Sequence, residues 1–285
     1  MRTFSLVNMK GGVGKSTLAV NIADVLARRH GKRVLLIDTD PQFNATQMLI
    51  SGEAYVQRLD AGANTILDIF DDQPKIRMSA IAGPQVVPAV ALAQVLPWDI
   101  EVPGAIAGGS LKLIAGDLEL YRLEMNHGTG REQRLRRFIE VCEDRGDIDI
   151  VVIDTPPTPS TWMTAALFAS DGYLIPVRPE PISRTGVDLL KGVVDRISGN
   201  FGRQISCLGV VLTITDEHYN VFGQAVQFFD NNAVWAGKRF TRHLPRRTAV
   251  AEDQGEQIRI LDSDQPEAKT AVVGITAELL QRIEA

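Results

Sequence analysis

The stretch "KGGVGKST", Lys10–Thr17, lies between the short apolar run "TFSLVN" (3–8) and a helical period over 17–29. A glycine-rich loop that leaves a strand and opens a helix lets backbone N–H groups converge on phosphate oxygens at the positive end of the helix. Gly11, Gly12 and Gly14 permit that approach, with Val13 and Thr17 on the same contour. Lys15 is expected to bridge the β- and γ-phosphates of a nucleotide and the Ser16 hydroxyl to ligate magnesium. The bland alternative is a strand-to-helix turn with no ligand, and the Lys-Ser pair argues against it. The generic pattern GxxxxGK[ST] asks for glycine at position 9, where Met9 stands, and assigns no task to Lys10.

Outward from this loop, runs such as "RVLLID" (33–38), "LKLIAG" (111–116), "DIVVID" (149–154), "GYLIPV" (172–177) and "CLGVVLT" (207–213) alternate with helical periods over 131–144, 161–169, 184–198, 221–231 and 268–284. Nearly continuous apolar strands are those covered on both faces, so the expected fold is α/β: a doubly wound, mostly parallel β-sheet flanked by helices. Ligands are then expected beyond the carboxyl ends of the strands. Residues 71–110 carry five prolines and "GAIAGGS", and read as an insertion within one domain spanning 1–285.

Composition narrows the classes. A net charge of −5 requires any nucleic-acid contact to come from a local patch. Cys142 and Cys207 are far apart, which suits a reducing cytoplasm and leaves no disulfide framework or cysteine metal site. Ser79–Trp98 is broken by Pro84, Pro88 and Pro97 and is too short of clean apolar length for a membrane span. Only nine residues precede the loop, so an operator-binding module ahead of it is not expected.

"KGGVGKST" resembles the deviant Walker A motif of the ParA/MinD family of P-loop ATPases. "LLIDTDPQFNAT" (35–46) and "VVIDTPPTPS" (151–160) resemble that family's DxDPQ segment and its Walker B and switch II region. "LIPVRPEPISRTGVDLL" (174–190) and "HLPRRTAVAED" (243–253) extend the likeness. The resemblance implies an ATP- and Mg2+-dependent ATPase that dimerises around two ATP molecules. Lys10 would then reach the partner's phosphates, Asp40 would position the attacking water, Asp154 would hold magnesium, and Asp38 would lie in the same magnesium and water network. It also implies that Pro245 and Arg246 pack near the adenine; Thr213 either faces the nucleotide or simply ends its strand.

The same scaffold serves several functions. The ending "AELLQRIEA" fits a packed helix better than the basic membrane-surface helix of MinD-like proteins, and no CxxC suggests an iron–sulfur carrier. The expectation is a ParA-type partition ATPase, cytoplasmic and nucleoid-associated when ATP-bound, that binds DNA without sequence preference and answers to a ParB-like adaptor. Lys238, Arg239, Arg242, Arg246 and Arg247 form the expected DNA patch; a solvated edge is the alternative, and "REQRLRRF" (131–138) is a second patch. A positioner of some other cargo and a nucleotide-gated scaffold that scarcely turns over are the rival readings. Trp98 and Trp162 read as packing residues, His127, His218 and His243 as lacking metal-ligand spacing, and Asp68, Asp71 and Asp72 as a solvated loop edge.

Overall fold

The computed structural model describes residues 1–79, 83–125, 130–180, 183–216, 220–246 and 255–284, with backbone alone at 75–79, 87 and 183–185. In chain order the elements are β1 (Arg2–Leu6), α1 (Lys15–His30), β2 (Arg33–Asp38), α2 (Asn44–Gln47), α3 (Gly52–Asp60), α4 (Ile66–Phe70), β3 (Lys75–Ser79), β4 (Gly83–Val87), a 3-10 turn (Leu92–Gln94), β5 (Trp98–Ile100), β6 (Ser110–Ile114), α5 (Leu120–Met125), α6 (Arg131–Arg145), β7 (Ile150–Asp154), α7 (Thr161–Ala169), β8 (Gly172–Val177), α8 (Ser183–Phe201), β9 (Ser206–Thr215), α9 (Asn220–Asn231), β10 (Leu244–Pro245) and α10 (Pro266–Glu284). An eight-stranded sheet runs in the order β10–β9–β8–β1–β7–β2–β6–β5. Every pair is parallel except β5 on β6.

The sheet is covered on both faces because its strands are apolar at both parities. Val34 and Leu36 of β2 and Ile150 and Val152 of β7 join Leu18, Ile22 and Leu26 of α1 and Val272 and Ile275 of α10 in one core layer. Leu35, Ile37, Val151 and Ile153, the intervening residues, meet Phe138 and Ile139 of α6 and Trp162 of α7 on the other face. Side chains alternate across a strand, so one run of aliphatics supplies two cores. Each fully buried aliphatic contributes about 2 kcal/mol.

The 71–110 region is built from three pieces. β3 and β4 pair as a separate antiparallel hairpin, β5 adds an antiparallel edge to the main sheet, and the Gly-rich stretch folds against the end of α1, where Ile106 N donates to Arg28 O at 3.3 Å. Trp98 and Trp162 are buried packing residues, as expected. The solvated-edge reading of Asp68 and Asp71 is corrected. Asp68 is fully buried and forms a capping box with Thr65 at the start of α4, and Asp71 is 5% exposed; only Asp72 is open to solvent. The signal was Thr65-x-x-Asp68, a helix start inside what read as a loop. The terminal helix α10 packs its Ala268, Val272, Ile275 and Leu279 face inward, and no helix among the described residues is long and apolar enough to cross a membrane.

Candidate functional site

The centre of the sheet sets the site. Leu6, Asp38 and Asp154 stand in register at the carboxyl ends of β1, β2 and β7, with β7 between the other two. Two buried threonines tie these ends together. Thr39 donates its hydroxyl to Asp154 O at 2.7 Å, and Thr155 donates to Leu6 O at 2.6 Å. The strands deliver the loop and two carboxylates to one point, and the following threonines fix their spacing.

Gly14 caps α1 in the left-handed conformation with φ 77°, which a glycine adopts without the steric cost of a side chain. No side chain caps α1, so its first N–H groups stay available to an anion. The loop is held from the other side by β9: Thr213 donates its hydroxyl to Val13 O at 2.6 Å, and Ile214 lies against Gly14. Gly11 through Thr17 line a cavity of about 250 Å³ with Asp40, Gln42, Asn44, Met48 and Pro157.

The charges on the wall of this cavity and buried behind it are unequal. Lys15 is 7% exposed, and burial lowers its pKa against the opposing pull of Asp154 and Asp40. Asp40 is held up by burial while its Oδ1 accepts Gln42 N at 2.9 Å. Asp38 has no exposure. Its Oδ2 accepts both the backbone N and the hydroxyl of Thr46 at 2.8 Å, and its Oδ1 accepts Asp40 N at 3.2 Å. Burial, reinforced by Asp154, raises the Asp38 pKa well above the usual carboxylate range.

Asp154 is equally buried and its pKa is pushed up to about 7, chiefly by desolvation. The Ser16 hydroxyl and Lys15 oppose that rise, yet neither Asp154 oxygen completes a hydrogen bond of full geometry. A buried carboxylate left open beside a hydroxyl offers hard oxygen donors, which fits a magnesium ion bound together with nucleotide phosphates.

Lys10, at the outer rim, donates through Nζ to Glu180 of its own chain. Its backbone N donates to Asn8 Oδ1 at 2.9 Å. Pro245 lies away from the phosphate cavity, in a neighbouring hollow with Arg242 and His243, although Arg246 N donates to Thr215 O at the same end of the sheet. Lys238, Arg239, Arg242 and Arg246 run along the β9–β10 edge; Arg239 is bound by Asp230 through two contacts of 2.8 and 2.9 Å. Arg247, and with it His127 and His218, lies outside the described residues. In the second patch, Arg134 is engaged with Ile69 O and Asp72, and Arg136 with Glu140.

Sequence reasoning missed Thr46, Gly116 and Glu180. Thr46 passes its hydroxyl to Asp38 and accepts Gly116 N at 2.8 Å. A Cβ on Gly116 would stand 2.4 Å from Phe43 Cβ, so only glycine lets the chain after β6 pass this loop. "FNAT" carried a usable sign, a threonine eight residues past Asp38; nothing near Glu180 pointed to Lys10.

The family model described as AAA domain matches residues 1–207. The chain is 30% identical over 253 residues to the chromosome-partitioning ATPase Soj of Thermus thermophilus, covering 88% of this chain and 84% of that protein. It is 29% identical over 254 residues to the chromosome partitioning protein ParA of Caulobacter vibrioides, covering 88% and 83%. A variant of Cyanothece McdA in complex with ATP superposes with a TM-score of 0.76 at 18% identity, over 99% of this chain and 96% of that one, a likeness of fold alone.

Proposed function

The chain belongs to the AAA-domain family whose model covers its first 207 residues, within the ParA/MinD group of P-loop ATPases, and from that membership we propose a partition ATPase of the ParA type. It binds ATP with magnesium, dimerises across the bound nucleotide, engages DNA without reading sequence, and releases it after hydrolysis. The observation that carries this reading is the open, buried carboxylate of Asp154 beside Ser16, facing a helix end capped only by Gly14.

The α1 N–H groups and Lys15 hold the phosphates, and Ser16 and Asp154 hold the cation. Bound there by Ser16 and Asp154, magnesium would neutralise charge developing on the transferred phosphoryl group. Asp38, with both oxygens already engaged, fixes the Asp40 loop through Thr46. Asp40 orients the attacking water from the cavity wall, and Lys10 from a second copy adds a cation at the same phosphates, as an arginine finger does. A ParB-like adaptor, a nucleoid location and a plasmid or chromosome cargo complete the proposal.

The test is a gel shift of a random duplex with Mg2+ and ATP or ADP. The expected result is a shift with ATP only, lost in Lys15→Ala together with nucleotide binding. Lys10→Ala should keep nucleotide binding and lose the shift. Normal ATP affinity in Lys15→Ala would overturn the phosphate assignment.

A further inference from the structure

We propose that Phe43 is a positioning residue for ATP hydrolysis: through its ring, stacked on Tyr55, it holds the turn that presents Asp40 to the phosphate cavity. The proposal rests on Asp40 as the residue that orients the attacking water.

The backbone of Phe43 is the first observation. It has φ 40° and ψ 41°, the left-handed region that a bulky residue enters at a steric cost and keeps only where surrounding contacts enforce it. Among the described residues the other non-glycine positions at positive φ are Ile214 and Gln257. Ile214 lies against Gly14 of the phosphate loop, and Gln257 donates through Nε2 to Gln47 O at 3.2 Å on the helix that Phe43 opens. All three strained positions thus stand against the phosphate loop or the segment that follows Asp40.

Core packing does not account for Phe43, which is half-buried and belongs to none of the apolar layers among the described residues. Its contacts serve the turn instead. Phe43 N donates to Asp40 O at 2.8 Å, closing the turn from Asp40 to Phe43, and Phe43 O accepts Gln47 N at 3.1 Å as α2 begins. The ring lies nearly parallel to that of Tyr55, 5.4 Å between centroids and 12° between planes. Tyr55 is fixed in turn: its hydroxyl donates to Gly116 O at 2.9 Å, and its ring tilts against the buried Trp98 at 5.7 Å.

Asp38 Oδ1 therefore anchors the front of the turn through Asp40 N, and the aromatic pair anchors its back. Glycine at 43 would adopt the same backbone without strain but would carry no ring to hold. Beyond the two rings lies a cavity of about 630 Å³ walled also by Met48, Ile50 and Val56, so a turn released from the stack has room to shift. Asn44 and Met48 line both this cavity and the phosphate cavity, which brings such a shift next to Asp40. Misplacing a catalytic group by about 1 Å costs up to about a hundredfold in rate.

The experiment measures single-turnover ATP hydrolysis with Mg2+ in the full-length wild type, Phe43→Gly, Phe43→Tyr, Tyr55→Leu and the Phe43→Gly/Tyr55→Leu double variant, with Asp40→Ala as reference. Rates are expressed per bound nucleotide, which loss of folded protein does not move, and affinity for a fluorescent ATP analogue is read in parallel. Phe43→Gly is expected to hydrolyse about tenfold more slowly, less of a loss than in Asp40→Ala, with nucleotide affinity within about twofold of wild type. Phe43→Tyr, which keeps the ring, should restore the wild-type rate. Tyr55→Leu should fall as Phe43→Gly does, and the double variant no further than the slower single, because both remove one contact. A wild-type rate in Phe43→Gly beside a slow Asp40→Ala, or losses that multiply in the double variant, overturns the positioning role alone. A wild-type rate in Asp40→Ala overturns the reading of Asp40 and the positioning role with it.

Discussion

Asp38 and Asp154 end two neighbouring strands, Asp40 lies just past the first of them on the cavity wall, and their surroundings give the three different tasks. Asp38 is saturated by Thr46 and the Asp40 amide, so it acts as an anchor for the loop. Asp154 has its oxygens open beside Ser16, so it is the one that can meet a cation. Asp40 spends only one oxygen on Gln42 N and lines the cavity at 5% exposure. A carboxylate so placed can orient and partly deprotonate a water, an effect worth about a hundredfold or more in rate. Asp40→Ala should therefore retain ATP binding and ATP-dependent dimers while phosphate release in single-turnover assays falls by about that factor. Unchanged turnover would remove Asp40 from the reaction.

At the scale of elements, α1 carries the phosphate loop at one end and a buried ionic cluster further along. Asp24 has no exposure and meets Arg28 Nε at 2.9 Å and Arg259 Nη1 at 2.8 Å, while Arg28 also clasps Asp262 at 2.6 and 2.5 Å. The cluster pins the 259–262 segment onto α1, helped by Ile260 N donating to Asn21 Oδ1 at 2.7 Å. Removing one member leaves buried charge without its full complement, so Asp24→Ala should lower unfolding free energy by about 3 kcal/mol in guanidinium titrations. Asp24 is about 14 Å along the helix from Lys15, so nucleotide affinity of the folded fraction should hold. This cluster was invisible in sequence because its two halves are far apart in the chain, Arg28 and Asp262 by 234 residues, whereas the loop Lys10–Thr17 is contiguous and could be read directly. The same contrast runs through the fold. β1, β2, β7 and β8 announce themselves as aliphatic runs, and α1 and α10 as long helical periods. The paired strands β3 and β4, β5 and the short α2 to α4 are too brief to show a period; β5 takes its identity from pairing with Leu111 and Leu113 of β6, and β3 from pairing with β4.

Over the whole molecule, a net charge of −5 opposes approach to a polyanion, so the proposed DNA contact depends on which cations escape internal pairing. The β9–β10 edge is not uniform in this respect. Arg239 is clasped by Asp230, whose pKa is lowered chiefly by that hydrogen bond, and it also donates to Phe240 O at 3.0 Å. Arg242 is exposed, on the chain leading into β10. Sequence counting treated these arginines alike; the structure separates them. Each phosphate neutralised contributes about −0.9 to the slope of log K against log salt. Arg242→Glu should weaken binding of a random duplex about tenfold at 0.1 M salt and make that slope shallower by about one to two. Arg239→Gln, which removes a cation already spent on Asp230, should leave the slope unchanged within about half a unit. Fluorescence anisotropy across a salt series with Mg2+ and AMPPNP reads both numbers. Equal effects from the two substitutions would mean that duplex DNA meets the molecule somewhere other than the chain flanking β10.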